Sequence, residues 1–143
     1  MPNWRQEKRA NSAKVLIVDD EPEMVEIIAR YLTFRGYEVV TAPDGKEGLA
    51  KAAAECPDII LLDKQMPVMN GWEMLEELWK QPWSRDIPVI MVTGRYEKHD
   101  IAMACMYNIA DYVAKPFDPS LLLEKIGNIL VSTRKRRTKA ENA

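Results

Sequence analysis

Short runs of β-branched and aliphatic residues recur along the chain, and a segment with helical spacing follows each run. The runs cover Lys14–Asp19, Tyr37–Ala42, Asp58–Asp63, Ile87–Thr93 and Asp111–Ala114. Three of them are almost continuously apolar, which is typical of strands that are covered on both faces. Alternating strands and helices indicate parallel strands joined by helical crossovers. The sequence therefore predicts an α/β fold with a five-stranded, doubly wound parallel sheet between residues 14 and 131.

Capping patterns predict where the helices begin and end. Pro22 suits the first turn of the first helix, and Gly36 suits the position just beyond its end. Asp44–Glu47 and Asn70–Glu73 have the spacing of a capping box, in which a polar side chain precedes a glutamate by three residues. The last two helices are predicted to run from about Glu97 to Tyr107 and from Asp118 onwards.

The net charge of −2 conceals an uneven distribution along the chain. A polar leader, residues 1–13, carries +2, the central part, residues 14–131, carries −8, and a basic tail, residues 132–143, carries +4. An acidic central domain argues against nucleic-acid binding by bulk charge. The tail is interpreted as an extension of the last helix or as a linker to a missing output domain. Contact with nucleic acid or another anionic surface is the least favoured interpretation.

The remaining composition indicates a cytoplasmic protein. No apolar run approaches the roughly 20 residues that a membrane span needs. The first 13 residues also lack the apolar segment of a secretory signal. The two cysteines, Cys56 and Cys105, do not have metal-ligand spacing. We expect them to be small, buried or half-buried thiols.

Polar residues stand at the carboxyl ends of four predicted strands. They are Asp19 and Asp20 after the first strand, Asp63 after the third, Thr93 and Gly94 after the fourth, and Lys115 after the fifth. In an open parallel sheet these ends share one edge, where such folds place their sites. Any one aspartate alone could be a helix cap or a solvated strand end. Three carboxylates brought together repel one another, and a hard cation such as Mg²⁺ relieves the repulsion.

This predicted edge suits phosphoryl chemistry. A carboxylate can attack phosphorus and form an aspartyl phosphate. The phosphoryl group in transfer needs its oxygens stabilised by a metal, an ammonium, a hydroxyl or backbone N–H groups. The edge offers each of these, and Gly94 leaves its backbone N–H unobstructed by a side chain. The sequence therefore favours a phosphoryl-accepting carboxylate.

Four ordered motifs carry a family resemblance. They are VLIVDDEP at Val15–Pro22, LLDKQMPVMNG at Leu61–Gly71, MVTG at Met91–Gly94 and ADYVAKPF at Ala110–Phe117. In this order and spacing they resemble the receiver domain of two-component response regulators, and the chemotaxis regulators in particular. The resemblance implies a flavodoxin-like (βα)5 strand order.

The resemblance also implies a role for each residue of the edge. Asp63 would be the phosphoacceptor. Mg²⁺, or alternatively Mn²⁺, would be bound directly by Asp20 and Asp63, through water by Asp19, and by the backbone carbonyl of Gln65. Lys115 would pair with the phosphoryl oxygens, and the Lys115–Pro116 peptide bond would be cis. The Gly94 backbone would also contact the phosphoryl group. Thr93 and Tyr112 would be the switch residues.

The implied partners are a sensor histidine kinase or a histidine phosphotransfer protein, together with a downstream effector or a missing output domain. No membrane partner is implied. Such a domain is not an enzyme beyond its own phosphotransfer and dephosphorylation. One alternative, an aspartyl-phosphate phosphatase, usually carries DxD at its first strand, where this chain has DDEP. A second alternative, a phosphate-independent binding module, would be expected to lack Asp63 or Lys115.

Two features depart from the pattern or extend it. Asn108-Ile109 stands where the family usually has Gly-Ala before the acidic residue and the aromatic. We expect little damage to the fold, because Asn tolerates positive φ. Gln65 and Arg95 are predicted to border the path of the water that hydrolyses the acyl phosphate. Arg95 either shields the phosphoryl group or points into solvent.

Overall fold

A computed structural model describes residues 12–94, 97–107 and 109–142. Beyond Arg136 it describes the backbone alone. Arg95 and Asn108 lie outside the described residues, so the predictions made for them remain predictions. In the part of the chain that is described, no helix is both long enough and apolar enough to span a bilayer.

The five strands form one parallel sheet. They are β1 (Lys14–Val18), β2 (Glu38–Ala42), β3 (Ile59–Leu62), β4 (Val89–Thr93) and β5 (Asp111–Ala114). Their order is β2-β1-β3-β4-β5, and every neighbouring pair is parallel. The predicted doubly wound, flavodoxin-like fold is confirmed. Asp19 and Asp63 immediately follow their strands, instead of forming the last residue of each.

Five helices connect and flank the strands. They are α1 (Pro22–Phe34), α2 (Gly45–Glu55), α3 (Gly71–Trp79), α4 (Lys98–Met106) and α5 (Pro119–Asn142). The predicted capping box at Asn70 and Glu73 is present in both directions. At the start of α2, the Asp44 side chain accepts a hydrogen bond from the Glu47 backbone N–H. Helix α5 continues without interruption past residue 131, so the backbone of residues 132–142 is helical.

Alternating strand residues build a hydrophobic core on each face of the sheet. Val15, Ile17 and Leu61 face one layer, which α1 and α5 cover. Leu16 and Leu62 face the other layer, which contains side chains of α2 and α3. Each of these side chains is nearly inaccessible, and burying one contributes about 2 kcal/mol. Since both faces are covered, the carboxyl ends of the strands are the part of the sheet left to carry a site.

The two cysteines correct an expectation from the sequence. Cys56 and Cys105 are both free and exposed, although buried or half-buried thiols were expected. Cys56 ends α2 with a φ of 46°, a turn position that points its side chain away from the core. Cys105 lies on the outer side of α4. Residue size alone misled the prediction, because the face that a helical residue occupies decides its burial.

Candidate functional site

Backbone hydrogen bonds bring three aspartates together at the carboxyl edge. The N–H of Asp19 donates to the carbonyl of Ala42 at 3.1 Å, and the N–H of Asp63 donates to that of Val18 at 2.9 Å. Val18 is paired in register with Leu62, so Asp19 and Asp63 stand side by side. With Asp20, they offer carboxylate oxygens that all lie within 4.8 Å of one another. Asp19 and Asp63 are buried, whereas Asp20 is exposed.

Lys115 reaches this cluster from the end of β5. Its N–H donates to the Thr93 carbonyl at 2.8 Å, and the Lys115–Pro116 peptide bond is cis. The Lys115 Nζ lies 2.8 Å from Asp19 Oδ2 and 3.5 Å from Asp63 Oδ2. It also lies 3.0 Å from Glu21 Oε1. Glu21 directly follows the aspartate pair and is the N-cap of α1, and its contact with Lys115 was not predicted.

The edge carries more negative than positive charge. Burial raises the pKa of the Asp63 carboxyl, and the negative charge of Asp19 raises it further. The Lys115 ammonium and the Gln65 N–H oppose this effect without cancelling it. Burial lowers the pKa of Lys115, but hydrogen bonds to the Asp19 and Glu21 carboxylates raise it above its ordinary value overall. Among the described residues, one ammonium faces four carboxylates, and this excess of negative charge favours a further cation.

The donor set fits a hard divalent cation. Carboxylate and carbonyl oxygens are the ligands that Mg²⁺ and Mn²⁺ accept, and three carboxylates converge here. Burial and the Asp19 charge raise the pKa of Asp63 although Lys115 lowers it, so a further cation would favour the charged carboxylate. Gln65 lines the same cleft, and its backbone N–H lies 3.4 Å from Asp63 Oδ1.

An open cleft lies above the cluster. Its volume is about 680 Å³, and its lining includes Asp63, Gln65, Thr93, Gly94 and Lys115. Thr93 is buried, with 2% of its surface exposed. A Cβ added at Gly94 would meet nothing within 4 Å, so neighbouring atoms do not require a glycine there. The cleft can admit a phosphoryl group beside the aspartates.

The connection from β3 to α3 holds Asp63 against the start of that helix. A Cβ at Gly71 would collide with the Asp63 carbonyl oxygen, so this close approach requires glycine. The Gly71 N–H donates to the Lys64 carbonyl at 3.0 Å. Between these points Val68 adopts a φ of 68°, which is unusual for a β-branched residue.

Tyr112 is set back from the aspartate cluster. It is the second residue of β5, pairs in register with Met91, and is half-buried. Its hydroxyl lies 3.4 Å from Asp100 Oδ2 at the start of α4. The Tyr112 hydroxyl therefore lies beside the start of α4, and Tyr112 is not among the described residues that line the cleft.

A second charged centre lies behind the edge, and the sequence analysis missed it. Lys64 Nζ is 3.0 Å from Asp100 Oδ2, with only 7% and 1% of the two side chains exposed. The same oxygen accepts the Glu97 N–H at 2.7 Å. The Asp100 N–H in turn donates to the Glu97 backbone carbonyl at 2.9 Å, and an acid at the third position of a helix was an available signal for this role of Asp100. We find no corresponding signal for burial of Lys64.

Comparison with known proteins gives consistent matches. The chain matches the family model described as "Response regulator receiver domain" over residues 15–127. The response regulator SaeR of Staphylococcus aureus (strain USA300) is 38% identical over 121 residues, which cover 85% of this chain and 52% of SaeR. The chain thus spans about half the length of the curated relatives that it matches.

Solved structures match along nearly their whole length. A CheY-like response regulator receiver domain protein from Methanospirillum hungatei is 34% identical, with a TM-score of 0.83, and the match covers 87% of this chain and 98% of that one. The Vibrio cholerae chemotaxis protein CheY4 is also 34% identical, with a TM-score of 0.77 and coverages of 82% and 98%. A receiver domain of a signal transduction histidine kinase from Syntrophus aciditrophicus is 28% identical, with a TM-score of 0.78 and coverages of 85% and 92%.

Proposed function

Because the chain belongs to the response regulator receiver domain family, a family of phosphoacceptor signalling domains, we propose that Asp63 is its phosphoacceptor. The observation that carries the proposal is the position of Asp63. Its carboxylate is buried at the floor of an open cleft, 3.5 Å from the Lys115 ammonium and beside two further carboxylates. The carboxylate can attack phosphorus from there, while the phosphodonor approaches from solvent.

We propose Asp19, Asp20, Asp63 and the backbone carbonyl of Gln65 as the groups that hold Mg²⁺, with Mn²⁺ as a substitute. The ion would neutralise charge on the phosphoryl oxygens and on the carboxylates. Asp20 is exposed and able to bind the ion directly. Asp19 already accepts hydrogen bonds from Lys115 and from the Glu21 N–H at 2.9 Å, which suits a contact through water.

Three residues around the acceptor would stabilise and sense the phosphoryl group. Lys115 would donate its ammonium protons to the phosphoryl oxygens, and the Gly94 backbone would contact them from the other side. The Thr93 hydroxyl would be drawn toward the group once it is attached. Tyr112 would then turn into the space that Thr93 leaves. Phosphorylation shifts such an equilibrium only as far as it favours one arrangement over the other.

We further propose a place in a signalling pathway. The phosphoryl group would come from a sensor histidine kinase or a histidine phosphotransfer protein in the cytoplasm. A downstream effector, or an output domain beyond the receiver, would read the changed surface. The chain itself would catalyse only its own phosphotransfer and dephosphorylation.

Mass spectrometry of the intact protein tests the proposed acceptor. With acetyl phosphate and Mg²⁺, the wild type should gain one phosphoryl group, and Asp63→Asn should gain none. Omitting the divalent cation should abolish labelling of the wild type. Asp86→Asn, which changes an exposed acid away from the cleft, is the matched control and should label like the wild type. Equal labelling of Asp63→Asn and the wild type would overturn the assignment.

A further inference from the structure

The buried Lys64–Asp100 pair joins the residue after the proposed phosphoacceptor to the start of α4. Lys64 is bonded directly to Asp63, and its carbonyl is fixed to α3 through the Gly71 N–H. Asp100 is the third residue of α4. The Lys64 side chain therefore extends from the acceptor to the start of a helix that is 36 residues away along the sequence.

Three donors meet at one oxygen of this carboxylate. Asp100 Oδ2 lies 3.0 Å from Lys64 Nζ, 2.7 Å from the Glu97 N–H and 3.4 Å from the Tyr112 hydroxyl. Burial raises the pKa of Asp100, but the Glu97 N–H, the Lys64 ammonium and the nearby Trp72 indole together lower it below its ordinary value. The carboxylate is thus held in its charged form, and removing one partner of a buried pair is costly.

The second oxygen of Asp100 leaves room for rearrangement. Asp100 Oδ1 and the Trp72 indole nitrogen are both buried, and neither has a partner with hydrogen-bond geometry among the described residues, although the Trp72 indole helps to lower the pKa of Asp100. The carboxylate can therefore hold the Lys64 ammonium on one oxygen and take the Tyr112 hydroxyl on either. Buried polar groups are normally satisfied, so an oxygen without an aligned donor marks a place where the contacts of the carboxylate can change.

We propose that Asp100 is a positioning residue that couples the acceptor to Tyr112 through Lys64. A phosphoryl group on Asp63 places new negative charge one residue from Lys64 and attracts its ammonium. The hold of Lys64 on Asp100 weakens, so the carboxylate binds the Tyr112 hydroxyl more strongly and the start of α4 shifts. This route adds to the proposed movement of Thr93, and it rests on the proposed function of Asp63.

Amide hydrogen exchange in α4 tests this coupling. The probe is beryllofluoride with Mg²⁺, a mimic of the phosphoryl group, added to the full chain. In the wild type the mimic should change exchange of Lys98–Met106 by about fivefold or more, and in Asp100→Asn by less than about twofold. A purely structural role would alter exchange with and without the mimic alike and leave their ratio unchanged. Tyr112→Phe, which removes only the hydroxyl, should give an intermediate ratio.

The control breaks a different ion pair. Asp111→Asn removes the 2.7 Å contact with Lys125, between β5 and α5, and should keep the wild-type ratio in α4. A wild-type ratio in both Asp100→Asn and Tyr112→Phe overturns the coupling, and so does an equal loss in Asp111→Asn. ¹⁹F resonances of bound beryllofluoride report separately on Asp63. If the wild type shows none, the proposed function itself fails and the coupling fails with it.

Discussion

Lys64 follows β3 and Lys115 follows β5, and the two lysines have different electrostatic surroundings. Lys115 lies at the open edge among Asp19, Glu21 and Asp63, with Asp20 close by. Lys64 lies in the interior, where its ammonium has a buried ion pair with Asp100. The edge therefore has negative charge to spare and can accept a cation, whereas the interior centre is balanced. The acids around Lys115 therefore suit the binding of a cation, whereas the Lys64–Asp100 pair connects β3 to α4.

The pKa values of the acids in the two centres are shifted in opposite directions. The pKa of Asp63 is raised, because burial and the negative charge of Asp19 outweigh the help of Lys115. The pKa of Asp100 is lowered, because its hydrogen-bond donors outweigh the burial. Charge on Asp63 thus opposes folding in the absence of a metal, while charge on Asp100 supports folding.

The largest expected effect comes from the interior lysine. Lys64→Met should lower the free energy of unfolding by about 3 kcal/mol, because Asp100 would remain as a buried charge without its ammonium partner. Urea unfolding measures the loss. The double variant Lys64→Met/Asp100→Leu should recover part of it, since an apolar pair of similar size needs no charge compensation. A single variant as stable as the wild type would contradict the balanced-pair description.

The edge lysine provides the matched comparison for that experiment. Lys115→Met should destabilise less, because Glu21 is exposed and Asp63 lines an open cleft that solvent enters. It should also raise Mg²⁺ affinity about tenfold, equivalent to roughly 1.4 kcal/mol. Isothermal titration calorimetry measures the affinity. Lys64→Met should leave it nearly unchanged. If both variants changed Mg²⁺ affinity equally, the two centres would not be electrostatically distinct.

Replacing Asp63 and replacing Asp100 should change the stability of the protein at pH 7 in opposite directions. A raised pKa in the folded state opposes folding above that pKa, so Asp63→Asn should stabilise the metal-free protein at pH 7 by on the order of 1 kcal/mol, or about 3 °C in Tm. A lowered pKa supports folding at pH 7, so Asp100→Asn should destabilise it. Both differences should shrink as the pH falls below the ordinary value of 3.8. Thermal unfolding in EDTA measures them.

The outcome that contradicts this prediction is a shared sign. Destabilisation by both substitutions at pH 7 would mean that Asp63 gains more from Lys115 than it loses to burial and to Asp19. An excess of Mg²⁺ should reverse the sign for Asp63→Asn alone, because only that substitution removes a proposed ligand.

The smallest expected effect concerns the loop that continues from Lys64 toward α3. Val68→Gly should raise the free energy of unfolding by about 0.5 kcal/mol, since relief of the left-handed conformation exceeds the entropy cost of glycine. The Val68 side chain is 76% exposed, so little packing is lost. Denaturant unfolding measures the gain. Mg²⁺ affinity should not change, and a change would show that the loop strain acts on the edge.

The sheet and the edge were predictable because their signals lie within short segments. Apolar runs specified β1, β3 and β4, and the polar residue at or just after the end of each run placed Asp19, Asp63 and Thr93 at one edge. The parallel pairing of the strands followed from the alternation of strands and helices, so no side-chain contact had to be known to predict it. The proposed roles of these residues come from the family resemblance, and their geometry is compatible with those roles.

The interior centre was not predictable, because it depends on long-range packing. Whether Lys64 points to solvent or inward is decided by where α4 lies, and its partner is 36 residues away. Helical phase likewise decided the exposure of Cys105. Glu21 was missed for a related reason: its reach to Lys115 spans 94 residues, from the start of α1 to the end of β5.

The exposed thiols make the chain suitable for spectroscopy without any added cysteine. Cys105 is on α4, the helix that begins beside Asp100, and Cys56 is at the end of α2 on another part of the surface. A maleimide fluorophore or spin label on Cys105 would sample the helix of interest. The same label on Cys56 would serve as the internal reference. Cys56→Ser and Cys105→Ser then yield two singly labelled samples, each differing from the natural chain by one oxygen-for-sulfur exchange.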